Sequence, residues 1–114
     1  MEKKLFYVDK SPVNEKYSIY NKLNTVGIFL TYGGSYNIFS AHILGMEYPT
    51  FLRMCRDAFG AELIGKEGWT AIYYDKRENA EAVANILNKT INLILVEKEI
   101  IEKNRKILEA SKNG

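Results

Sequence analysis

The chain has 114 residues, of which 46% are hydrophobic and 26% charged, with one cysteine and a formal charge of +2. That is long enough for one domain with its own core, and a single cysteine excludes an internal disulfide. The charge is too small to argue for a nucleic-acid partner by itself, and the start Met1-Glu2-Lys3-Lys4 has no apolar run of signal-peptide length behind it.

Lys4–Val8 (KLFYV) reads as a short strand, ended by the turn residues Asp9-Lys10-Ser11-Pro12. In Val13–Asn24, Tyr17, Ile19 and Asn21 alternate with Ser18, Tyr20 and Lys22, which favours a strand over a helical turn. Thr25–Tyr32 and Tyr36–Leu44 are β-branched and aromatic runs hinged on Gly33-Gly34-Ser35, so a hairpin is expected, with Gly45 closing its second strand. Leu23 to Met46 holds no formally charged residue. Its glycines, asparagines and serines interrupt it too often for a membrane-spanning helix, which needs about 20 predominantly apolar residues.

The next stretch carries the most consistent signals. Pro49 suits the start of a helix and Gly60 the residue past its end. Between them Phe51, Leu52, Cys55, Ala58 and Phe59 form one apolar stripe. Ala61–Ile64 and Trp69–Tyr74 flank Gly65-Lys66-Glu67-Gly68 as a second hairpin, with an aromatic on each face. Asp75 stands as an N-cap with Glu78 three residues on, an Asp version of the capping box. Ala80, Val83, Ala84, Leu87, Ile91 and Ile94 then recur at helical spacing.

After Val96 the same periodicity continues in a heavily charged sequence. Glu99→Lys103 and Glu102→Lys106 are i,i+4 pairs in the favourable order. Two adjacent heptad lines run through it: Ile86, Leu93, Ile100, Ile107 and Leu87, Ile94, Ile101, Leu108. Unbroken from Lys76 to Ala110, this helix would be about 50 Å long, longer than the roughly 35 Å diameter of a compact domain of this size. It must overhang the body or break near Asn88 or Asn92. The expected fold is α+β: a mainly antiparallel sheet built from hairpins, one short helix and one long C-terminal helix. Residues 1–96 form the domain and 97–114 its charged helical extension.

No catalytic constellation is visible. Cys55 lies on an apolar stripe, where a free cysteine behaves as a small hydrophobe, and His42, the only histidine, sits on an expected strand. One Cys and one His do not make a zinc site. Gly33-Gly34 precedes a strand rather than a helix, so no phosphate loop is present. The expectation is a non-enzymatic protein without cofactor or metal, of cytoplasmic location and adaptor or inhibitor type.

Two partner classes remain. Arg53, Arg56, Lys66, Lys76 and Arg77, with Trp69, Tyr73 or Tyr74 as stacking surfaces, would suit nucleic acid, although Asp57, Glu62, Glu67 and Glu78 are interspersed among them. Protein–protein contact is favoured. Eight tyrosines include Tyr17, Tyr20, Tyr32 and Tyr36 in the N-terminal sheet region. An overhanging helix would also expose Ile100, Ile101, Ile107 and Leu108 unless a second copy or another protein covers them.

Overall fold

The structure, a computed structural model, describes residues 4–26, 36–66 and 69–113. In chain order these form β1 (Phe6–Lys10), β2 (Tyr17–Asn21), a 3-10 turn (Leu23–Val26), α1 (Tyr36–Ile43), α2 (Tyr48–Phe59), β3 (Ala61–Lys66), β4 (Trp69–Tyr74) and α3 (Arg77–Asn113). The described strands make one antiparallel sheet in the order β1-β2-β4-β3. This is the expected α+β class.

Register decides which strand faces are buried. Val8 pairs with Ile19, Tyr17 with Tyr74, Ala61 with Tyr74 and Leu63 with Ile72, so these side chains share the face on which α2 and α3 pack. Phe6, Val8, Ala61, Ile72 and Tyr74 are buried there against Phe51, Cys55, Ala80, Val83, Ala84, Leu87 and Ile91. Tyr7, Tyr20 and Tyr73 take the other face, each half-buried. The β3–β4 hairpin is tighter than expected, because pairing continues to Gly65–Thr70 and Lys66–Trp69.

Helix α2 has Pro49 in its first turn and ends on Gly60, whose φ of 65° is the left-handed conformation that glycine adopts without a Cβ penalty. Its buried line is Phe51 and Cys55 with Leu52, Met54 and Phe59 half-buried; Ala58 is exposed rather than on the stripe.

Three expectations are overturned. Tyr36–Leu44 is not a strand: Tyr36–Ile43 is helical, and Gly45 (φ 69°) ends it, with its own N–H bonded to the His42 carbonyl and that of Met46 to the Ala41 carbonyl. Ser40, Ala41 and Ile43 are buried and Asn37, Ile38, Phe39 and Leu44 half-buried, so polar Asn37 and Ser40 stand on the packed side and hide the helical period. The proposed partner strand also fails where it is described, since Thr25 and Val26 belong to the 3-10 turn; residues 27–32 and the Gly33-Gly34-Ser35 hinge lie outside the described residues. Finally, Asp75 is not the N-cap. The helix starts at Arg77, the Lys76 carbonyl accepts from Asn79 and Ala80, and the Asp75 carboxylate lies 3.1 Å from the Lys16 ammonium.

α3 is unbroken for 37 residues, which is about 55 Å. The Cα radius of gyration is 17.0 Å and the longest extent 61 Å, against ~13 Å for a compact domain of this length. The helix therefore overhangs, and no break occurs at Asn88 or Asn92.

Candidate interaction surface

α3 has two unlike halves. From Ala80 to Ile91 one stripe is buried against the sheet and the other helices. Ile94 and Leu95 are half-buried, and every residue from Val96 to Ser111 is exposed. Leu93 (70%), Ile100 (53%), Ile101 (58%), Ile107 (63%) and Leu108 (62%) thus stand in solvent. Ile100 is nine positions from Ile91, or about two and a half turns. Ile100 and Ile107 therefore lie on the side of the helix opposite to the one that grips the body, whereas Ile101 and Leu108, ten and seventeen positions from Ile91, lie on the flank between.

Within that stripe two positions are polar. Asn104 is three or four residues from each of Ile100, Ile101, Ile107 and Leu108, and so stands in their midst. Glu97 is placed in the same way among Leu93, Ile94, Ile100 and Ile101. All four contact residues expected from the sequence are brought together. Leu93 and Val96 (51%) extend the patch toward the body; Leu93 was already on a heptad line, whereas Val96 was not.

The basic residues do not converge in this way. Arg56 is held by its neighbour Asp57 through two hydrogen bonds of 2.7 and 3.2 Å, which raises the guanidinium pKa and lowers that of the carboxyl. Arg77 lies 3.5 Å from Glu81 and over the Tyr17 ring at 5.8 Å. Arg53 is exposed and reaches Thr50 at 3.4 Å; Lys76 is also exposed, and the Lys66 side chain lies outside the described set. Tyr74 is 1% exposed, so it cannot serve as a stacking platform. Tyr73 is half-buried.

Lys16 was not singled out in the sequence. It bridges Glu62 of β3 and Asp75 at the end of β4, and its pKa is raised chiefly by the hydrogen bond with Glu62. On the sheet face away from the helices, the Tyr7 and Tyr20 rings stack at 5.7 Å, with Lys22 5.4 Å from the Tyr7 centroid.

Cys55 is fully buried, and burial pushes its thiol pKa up; the buried Tyr74 hydroxyl is likewise raised mainly by burial. His42 is exposed on α1 rather than on a strand, its ring 6.5 Å from Phe39. Where β2 and β4 are joined at Tyr17–Tyr74, a cleft of about 300 Å³ opens between the two strands, and the Asn37 amide donates to the Thr70 carbonyl at 2.7 Å. None of the described lining residues carries a formal charge.

Among the described residues no group of three His, Cys, Asp or Glu is placed to hold a metal ion, and no helix is long and apolar enough to cross a membrane. No family model matches this chain, and no curated protein or solved structure matches it either.

Proposed function

We propose that this is a non-enzymatic macromolecule-binding protein of adaptor or inhibitor type, which self-associates through α3 beyond Val96. One observation carries the reading: Ile100, Ile101, Ile107 and Leu108 stand exposed around Asn104 on one side of a helix that clears its own domain. The stacked tyrosines of the sheet are a second surface suited to a protein partner.

Magnitudes indicate how tight the association should be. Full burial of a large aliphatic side chain gives about 1.5–3 kcal/mol. These four retain 53–63% of their exposure, so roughly half of that gain remains, or about 6–12 kcal/mol over two copies. Association costs about 4–15 kcal/mol in lost freedom. A weak dimer, micromolar or looser, is expected.

Sedimentation equilibrium of the full chain across a concentration series tests this. A reversible dimer should form and be abolished by the double change Ile100→Glu and Ile107→Glu, with circular dichroism unchanged. A chain that stays monomeric at hundreds of micromolar would remove self-association and leave only a foreign partner.

A further inference from the structure

We infer that the two copies pair antiparallel, with the two-fold axis at Asn104; this rests on the self-association proposed above. The overhang itself suggests the centre, since Asn104 is the midpoint of Val96 to Lys112. An antiparallel overlap about that point sets Ile100 against Leu108 of the second copy and Ile101 against Ile107. It places the domains at opposite ends, and each exposed tail already projects clear of its own domain.

Charge decides the orientation. About Asn104, residues 97–103 carry a net −1 (Glu97, Glu99 and Glu102 against Lys98 and Lys103), and residues 105–111 carry +1 (Arg105 and Lys106 against Glu109). A parallel, in-register pair sets the acidic half on the acidic half and the basic half on the basic half. The antiparallel pair sets each half against its opposite, with Glu102 level with Lys106 of the other copy, although Glu99 then lies level with Glu109 and Lys103 with Arg105. Within the stripe the contrast is sharper, because a parallel pair would press the two Glu97 carboxylates together in the apolar seam. In the antiparallel pair each Glu97 meets Ser111 instead. Asn104 does not discriminate: its amide both donates and accepts, so it can pair with its own copy in either orientation. A polar residue in such a seam fixes register at some cost in stability.

Cysteine cross-linking in the full chain tests orientation separately from association, with Cys55 retained because it is buried. Asn104→Cys should form a disulfide-linked dimer under mild oxidation in either orientation, and so reports pairing alone. An equimolar mixture of Glu97→Cys and Ser111→Cys proteins, one carrying a size tag, should give the mixed dimer. Neither variant should cross-link with itself, because in an antiparallel pair equivalent cysteines sit about 21 Å apart along the axis, far beyond the reach of a disulfide. A self-linked Ser111→Cys dimer overturns the inference in favour of a parallel pair. Linkage at Asn104→Cys without the mixed dimer overturns it as well. No linkage at Asn104→Cys, with a monomer in sedimentation, removes self-association itself.

Discussion

Asn88 of α3 holds the backbone of Phe6 in β1 at both of its polar groups: the Phe6 N–H donates to Oδ1 at 2.7 Å, and Nδ2 donates to the Phe6 carbonyl at 2.9 Å. β1 is a sheet edge, and its Leu5 carbonyl accepts from Lys22 on the β2 side, which turns the Phe6 groups outward. The carboxamide therefore stands where the next strand would be, and it ties the long helix to the sheet at one buried point. Asn37 plays a similar part at Thr70 of β4.

Removing that amide leaves two buried backbone groups without partners, each costing about 1–3 kcal/mol. Asn88→Ala should lower stability by roughly 2–6 kcal/mol in urea unfolding. Thr90→Ala is the control: its hydroxyl donates to the Ile86 carbonyl one turn back at 2.8 Å, on the helix surface, and its loss should cost under about 1 kcal/mol. Equal effects would mean that the edge contact contributes little.

Asn88 also shows where the sequence was legible and where it was not. The apolar period of α3 passes through this residue without a gap, so the helix could be read from its neighbours. The amide's partner lies 82 positions away, and no local pattern reports it. Polar residues on buried faces caused the main error too. Asn37 and Ser40 are polar residues on the packed side of α1, where Asn37 is satisfied by the distant Thr70 carbonyl, so the apolar period of the helix is interrupted in the sequence. Gly45 was seen as a terminator, but its place after a helix follows only once φ is known. Asp75 and Glu78 fit a capping box, yet Lys16, distant in sequence, draws the Asp75 carboxylate away. The exposed apolar positions beyond Val96 needed no tertiary information. Heptad spacing and helix length were sufficient.

Cys55 and Tyr74 make the fold alkali-sensitive. Both are acids whose folded-state pKa lies above the ordinary 9.0 and 10.0 because burial penalises the charged form. Their stabilising contribution is complete below those values and is lost as pH rises past them toward the folded-state values. The melting temperature should be flat near neutrality with respect to these two groups and fall above about pH 9. Tyr74→Phe should make that alkaline limb shallower. The same burial predicts slow labelling of the native thiol by a bulky reagent and fast labelling in denaturant. Rapid native labelling would show that Cys55 is reachable.

The basic residues give a direct test of the nucleic-acid alternative. Binding that uses phosphate contacts weakens steeply with salt, because each contact releases counterions. Arg56 and Arg77 already face Asp57 and Glu81. We therefore expect no measurable shift with single- or double-stranded DNA or RNA at low salt. Salt-sensitive binding that disappears in the triple variant Arg53→Ala, Arg56→Ala, Lys66→Ala would establish the alternative.

Truncation after Val96 separates the two halves of α3. Burial on the helix ends with Ile91, backed by the half-buried Ile94 and Leu95, and the side-chain pairing recorded beyond Val96 is internal, as between Arg105 and Glu102 at 2.7 Å. The remaining helix, Arg77–Val96, would still span about 30 Å and keep Ala80, Val83, Ala84, Leu87, Asn88 and Ile91 in place. Most helical stability in proteins comes from packing such a face rather than from propensity. The truncated chain should therefore unfold cooperatively, with stability within about 1 kcal/mol of the full-length monomer, the margin for changes away from packed features, while the concentration-dependent dimer disappears. The comparison must use dilute full-length protein, because dimerisation adds concentration-dependent stability of its own. Global unfolding on truncation would mean that the tail supports the domain, and an intact dimer would move the contact from α3 to the tyrosine face of the sheet.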